Sequence, residues 1–173
     1  MNLSTTLSTP AGPFTVVVDD TGAVRAAGFT AEPAALLELL PPSWRSTPVP
    51  RRDLGDVSKA VEAYLAGDHT AVDSLVVAHR PGGGDAGFLA RAWAALRRIP
   101  PGRTLTYTRL ATAAGRPAAV RAAGMACARN PVSLIVPCHR VVRADGALGG
   151  YRWGVEVKRW LLNFEAGVPD RWR

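Results

Sequence analysis

The chain has 173 residues, 47% apolar and 20% charged, with a net charge of +7. That length buries a real core, as one ordinary domain or two small ones, and the composition excludes a disordered chain. No long uncharged run occurs, which excludes a helical membrane protein.

The segment from Met1 to Phe14 has neither the basic start nor the apolar stretch of a secretory signal, so a cytoplasmic protein is expected. Cys127 and Cys138 are the only cysteines. A single pair gives no disulfide framework and too few ligands for a thiolate zinc site, so free thiols and no metal are expected.

The charge divides unevenly. Residues 1 to 84 carry 6 Arg and Lys against 9 Asp and Glu, whereas residues 85 to 173 carry 15 against 5, and 14 of those 15 are Arg. Arginine suits bidentate phosphate contact and insertion between bases, so the C-terminal half points to a polyanion partner. A basic surface with no partner is the competing reading.

Phe14 to Asp19 and Ala23 to Phe29 are predicted strands joined by the turn Asp20-Thr21-Gly22. Ala31 to Leu40 reads as a helix, and Pro41, Pro42, Pro48 and Pro50 then impose an irregular stretch. Asp56 to Ala66 resumes helical spacing, and Thr70 to Ala78 is a candidate returning strand. This makes residues 1–79 a small α/β domain. Residues 80–85, with three consecutive glycines, are the expected linker, and residues 86–173 form a second, mainly helical domain.

In that second domain a helix capped by Asp85 runs to about Arg98, where Pro100-Pro101-Gly102 stops it. Thr106 to Ala114 is the next helix. After Gly115-Arg116, Pro117 is placed in the first turn of a third helix ending near Ala128. Two short helices across a glycine break outline a helix-turn-helix. Ala118, Ala119, Ala122, Ala123, Gly124 and Ala126 make the second of them small enough to approach a groove, with Arg121 as the one long side chain in that patch. Close helix packing explains the small residues nearly as well, but not the arginine.

The segment Asn130-Pro131-Val132-Ser133-Leu134-Ile135-Val136-Pro137-Cys138-His139-Arg140 sets a thiol at the end of an apolar, strand-like run. Cysteine reacts as its thiolate, and histidine is the side chain best matched to remove that proton near neutral pH. Arg140 is expected to add a positive field favouring the anion. Glu165, on the inner side of a helix from Val155 to Ala166, is the candidate to orient His139. Cys127 has no such neighbours and reads as packing.

Pro137-Cys138-His139-Arg140-Val141-Val142, with Asn130-Pro131 before it and Gly149-Gly150-Tyr151 after it, resembles the signature of the O6-alkylguanine-DNA alkyltransferases. The resemblance runs from about Phe88 to Gly167 and is loose in the N-terminal half. It implies an RNase H-like N-terminal domain and a C-terminal helix-turn-helix. It also implies direct-reversal repair, in which an alkyl group passes irreversibly from O6-alkylguanine in double-stranded DNA to Cys138, with O4-alkylthymine a further candidate substrate.

By the same resemblance, His139 acts through a water as base, Glu165 holds His139, and Asn130 braces the active-site turn. Tyr107 bonds the flipped base, Val141 offers its carbonyl to the guanine amino group, and Tyr151 and Arg152 belong to the loop closing over it. Arg121, with Ala122 and Gly124 beside it, fills the vacated stack through the minor groove. A stable thioether implies one turnover per molecule and no cofactor; separately, a monomer is expected, with cooperative assembly on DNA left open.

Pro101 replaces the aromatic expected before Gly102, and Arg152-Trp153 replaces small residues, a form that resembles the alkyltransferase half of adaptive-response regulators. The regulator modules of those proteins are missing, so a stand-alone repair protein is expected. A non-repairing lesion binder and a cysteine hydrolase are the competing readings. The thiol at 138 argues against the first, and neither Arg121 nor the arginine bias fits the second.

Overall fold

A computed structural model of the chain describes residues 1–78 and 86–168; the expected linker and the Asp85 cap lie outside them. The chain is mixed α/β and divides into two compact units, Met1–Arg80 with Pro131–Ile135, and Pro81–Asn130 with Val136–Arg173.

The first unit is built on a four-stranded sheet. Strands β1 (Asn2–Thr9), β2 (Gly12–Asp19) and β3 (Val24–Gly28) form an antiparallel meander, and β4 (Val49–Pro50) adds in parallel to β1, giving the order β3-β2-β1-β4. The two expected strands are β2 and β3. Strand β1 was not expected, because Asn-Leu-Ser-Thr-Thr-Leu-Ser-Thr has too few apolar residues for the alternation that marks a half-buried strand. Three of its polar residues, Asn2, Ser4 and Thr5, are buried. The Asn2 amide donates to the carbonyls of Trp44 and Ser46 at 2.8 Å each and accepts from Arg25 at 2.8 Å.

Helix α1 (Pro33–Leu37) is shorter than the expected span and buries Leu36 and Leu37, while α2 (Asp56–Leu65) buries Val57, Val61 and Tyr64. The returning strand expected over Thr70 to Ala78 is not formed. Ala71–Ser74 is a 3-10 turn, and the segment meets the sheet at a single bridge, Val77 opposite Val24, closed by the Val76 carbonyl and the Ala78 amide.

The second unit holds α3 (Ala86–Arg97), α4 (Tyr107–Ala113), α5 (Val120–Ala128) and α6 (Val155–Ala166), with a two-stranded parallel ribbon of β5 (Leu105–Thr106) and β6 (Val141–Val142). The ribbon pairs Leu105 with Val141 and Thr106 with Val142, which brings the first residue of α4, Tyr107, beside the segment following Cys138. Thr106 caps α4 by accepting from the Arg109 amide. Gly115, at φ 84°, ends it with the Arg116 amide bonded back to Ala111, a Schellman closure.

Pro117 is not in the first turn of α5. It occupies the second position of a tight turn closed by Ala119 N–H to Arg116 C=O, where its fixed φ is equally at home, and α5 begins three residues later. The Trp93 indole donates to the Ala126 carbonyl at 3.0 Å, tying α3 to α5.

The apolar run before Cys138 is also not a strand. Val132 makes one bridge, to Ala27, and the rest is turns, with Leu134 at φ 74°. Its residues are apolar because all of Pro131 to Pro137 are buried, not because they line one face of a sheet. A left-handed leucine costs about 1–2 kcal/mol, which the surrounding burial must offset.

Candidate active site

Cys138 opens a 3-10 turn, Cys138–Arg140, that follows an inverse γ-turn at Pro137 (φ −82°, ψ 64°) closed by Cys138 N–H to Val136 C=O at 2.8 Å. The same Val136 carbonyl accepts from the Asn130 side chain at 2.8 Å. Asn130 thus fastens the point where the chain returns from the 131–135 segment, and its side chain also hydrogen-bonds the thiol. Cys138 is 6% exposed. Burial pushes its thiol up, opposed by the Asn130 hydrogen bond and the charge of Lys158.

His139 is wholly buried and its Nε2 lies 2.8 Å from Glu165 Oε1. Glu165 also takes both arms of Arg140, Nε to Oε2 at 2.9 Å and Nη2 to Oε1 at 2.8 Å. Burial works against the Glu165 anion, but His139 and Arg140 together hold its carboxyl far below the usual carboxylate range. A carboxylate only accepts, so Nε2 carries the imidazole proton and Nδ1 is the basic nitrogen. Nδ1 is buried without a hydrogen-bond partner among the described residues. Burial holds the His139 pKa below 6.5, against the pull of Glu165, so the resting ring is neutral and able to take a proton.

Arg140 is not the field source expected from the sequence. Its guanidinium is spent on Glu165 and, through Nη1, on the Ile99 carbonyl at 2.6 Å, so it anchors Glu165 between the end of α3 and α6. The cation that acts on the thiol is Lys158, which sequence reasoning missed. Lys158, Leu161, Leu162 and Glu165 form one buried stripe of α6, and a lysine in that register was the available signal.

Tyr107 is half-buried and forms one wall of a cleft of about 600 Å³ shared with Arg143, Leu148, Gly149, Gly150 and Arg159. Burial, with the charges of Cys127 and Cys138, raises its hydroxyl to about 12, so it is a donor at neutral pH. Gly149, also unassigned from sequence, sits at φ 75°, and a Cβ there would lie 2.8 Å from the Tyr107 hydroxyl. The Val141 carbonyl accepts from Lys158 at 2.7 Å. Tyr151 is half-buried and Arg152 exposed, in the turn preceding α6.

Arg121 is exposed on the first turn of α5, with Ala122 and Gly124 partly exposed beside it. The small-residue patch divides: Ala123 and Ala126 are wholly buried and serve helix packing, while Ala118, Val120 and Met125 join Arg121 on the open face. Cys127 is half-buried with its thiol raised by burial, and no histidine bonds it among the described interactions. No cluster of three or more His, Cys, Asp or Glu able to hold a metal occurs among the described residues, and no helix there is long and apolar enough to cross a membrane.

The family profile described as "6-O-methylguanine DNA methyltransferase, DNA binding domain" matches residues 87–167. A methylated-DNA–protein-cysteine methyltransferase of Shigella flexneri is 36% identical over 162 residues, covering 92% of each chain. The crystal structure of Mycobacterium tuberculosis O6-methylguanine methyltransferase is similar over 99% of this chain and 96% of that one, at 31% identity and a TM-score of 0.75. A structure of the Mycobacterium tuberculosis protein in complex with DNA matches at 30% identity and a TM-score of 0.76, over 96% of this chain and 95% of that one.

Proposed function

Because the chain belongs to the methylated-DNA–protein-cysteine methyltransferase family, we propose that it repairs O6-alkylguanine in duplex DNA by drawing the alkyl group irreversibly onto Cys138. The observation that carries this reading is the buried thiol next to a neutral His139, whose Nε2 is committed to Glu165 and whose Nδ1 is left to accept a proton.

In this reading a water relays the thiol proton to Nδ1, and the resulting imidazolium is stabilised by the Glu165 anion that already faces it. The thiolate attacks the alkyl carbon in line, an S–C bond forms as the C–O6 bond breaks, and the electron pair passes into the guanine ring. Tyr107 donates a hydrogen bond to the ring and relieves that charge. The Val141 carbonyl, with Tyr151 and Arg152 in the covering loop, selects the guanine. The thioether has no cheap route back, so each molecule acts once, without cofactor or metal.

The target carbon lies inside the base stack, so the nucleotide is flipped out. We assign α4 and α5 as a helix-turn-helix entering the minor groove, with Arg121 filling the vacated stack and Ala122 and Gly124 permitting the close approach. The first unit, proposed as an RNase H-like domain joined by the 80–85 linker, supports the second. The protein acts in the cytoplasm as a monomer.

Incubating the chain with duplex DNA containing O6-methylguanine tests this. One methyl per chain and restored guanine are expected; more than one equivalent of product would point to a hydrolase that turns over. Arg121→Ala is expected to slow transfer from duplex DNA about tenfold or more while leaving transfer from the free base within about twofold, since lost stacking compensation is on the order of 1–3 kcal/mol. Equal losses on both substrates would remove the finger assignment. Gly149→Ala drives a methyl into the Tyr107 hydroxyl at a position already at φ 75°. A displacement of that ring by a few tenths of an ångström to 1 Å should cost about 10- to 100-fold in transfer rate, measured in single turnover, and Tyr107→Phe should absorb most of that loss.

A further inference from the structure

Lys158 has no place in the reading so far, although it is a wholly buried cation facing the site. Its Nζ donates to the carbonyl of Val141 at 2.7 Å and to that of Gly150 at 3.2 Å, and stands 6.0 Å from the centre of the Tyr107 ring. Those two carbonyls bound the segment 142–149, which brings Leu148 and Gly149 to the Tyr107 wall of the cleft. An ammonium buried without need is expensive, and two carbonyls are a modest return for its lost hydration. A buried lysine therefore asks for an anion.

Lys158 stands over the ring of Tyr107 on α4, and its charge reaches the thiols of Cys138 on the 3-10 turn and Cys127 on α5, and also His139. Those that act on Cys138 are Asn130, Lys158, Tyr107 and, from α5, Cys127. Asn130 is neutral, Tyr107 and Cys127 keep their protons, and Arg140 is neutralised by Glu165, so Lys158 supplies the fixed positive charge that the thiolate meets, beside the imidazolium formed when His139 takes its proton.

We propose that Lys158 is a positioning residue for the transfer: its ammonium staples Val141 to Gly150, shaping the wall against Tyr107, and the same charge stabilises the Cys138 thiolate. Lys158 touches neither base nor alkyl group; it acts through Cys138 and through the stapled segment. The inference rests on Cys138 being the acceptor, and it separates into two parts by substitution. Lys158→Gln keeps an N–H donor for the carbonyls but removes the charge, and Lys158→Met removes both.

The test compares both variants with the unmodified chain in single-turnover transfer from methylated duplex DNA and in alkylation of Cys138 by iodoacetamide, each followed against pH and each preceded by a thermal melt. The Gln variant is expected to move the thiol limb of both profiles up by about one pH unit, a roughly tenfold loss near neutrality. The Met variant should show that shift and a further loss, confined to the DNA reaction, from the released segment. Coincident pH profiles in a folded Gln variant would overturn the charge role, and equal loss of the Met variant on both substrates would overturn the staple.

If the unmodified chain takes no methyl from DNA, the repair reading fails, whereas the iodoacetamide profile still reports on Lys158. Should neither variant fold, the unmutated chain labelled with 15N-lysine decides. The Lys158 ammonium should titrate at lower pH once Cys138 is alkylated, because the facing thiolate is gone, and an unmoved titration overturns the proposal.

Discussion

Cys138→Ala ends alkyl transfer altogether while leaving affinity for lesion-containing duplex within about twofold. The thiol is 6% exposed and its removal takes away one buried sulfur, a change that typically costs about 1–2 kcal/mol of stability and leaves the fold in place. No second nucleophile takes over: Cys127 is half-buried, its thiol is raised by burial, and no base bonds it among the described interactions. In the proposed reading binding rests on arginines such as the exposed Arg121, which the substitution does not touch. Fluorescence anisotropy on a labelled duplex, repeated at rising salt, should show the same slope for variant and unmodified chain, because the released counterions are the same. Lost affinity together with lost transfer would mean that Cys138 holds the structure rather than the chemistry.

Glu165→Ala is expected to be the most destabilising single change in the second unit. It strands Arg140, 2% exposed, with two of its three bonds gone, and leaves His139 without its Nε2 partner. Breaking a buried ion pair from one side costs roughly 3–5 kcal/mol. Glu165→Gln keeps an acceptor for Nε2 and should fold, but it lacks the anion that stabilises the imidazolium, so transfer is expected to slow by roughly 100-fold.

The pH dependence follows in sign. The folded carboxyl titrates below its ordinary value of 4.5, so its contribution is complete above that range and is lost as pH falls through it. His139, held below 6.5, binds fewer protons folded than unfolded and adds a loss in the same direction beginning below 6.5. Thermal melts of the unmodified chain should therefore fall in midpoint on acidification from neutral pH toward 4, and Glu165→Gln should flatten the lower part of that fall. A Gln variant with the parent's acid slope would place the sensitive group elsewhere.

Features that rest on spacing were legible from the sequence. The apolar stripe of α6 set Glu165 inward, and the contact with His139 forms at 2.8 Å. The Gly115 break between α4 and α5 is where the sequence put it, because few residues other than glycine accept φ 84°. What failed were inferences from apolarity alone. The run before Cys138 is apolar in a strand-like manner yet folds as buried turns, and β1 is a strand with almost no apolar signature because its buried polar groups find partners such as Trp44 and Ser46.

Charge was misread in a similar way. Arg140, adjacent to the thiol in sequence, spends its charge on Glu165, while Lys158, twenty residues on, delivers the field. A lysine on an apolar stripe is ordinarily expected to snorkel to solvent, whereas here two carbonyls and the thiol that its charge reaches hold it inside. Partners brought together by the fold cannot be read from neighbours in the chain.

The central claim, that Cys138 is the acceptor, meets its most direct test in peptide mapping of the chain after reaction with duplex DNA carrying O6-methylguanine. Tandem mass spectrometry of the digest should find one methyl, on the peptide containing Cys138 and on its sulfur, with Cys127 unmodified and the total never exceeding one per chain. A methyl on Cys127, or restored guanine with both sulfurs unmodified, would contradict it.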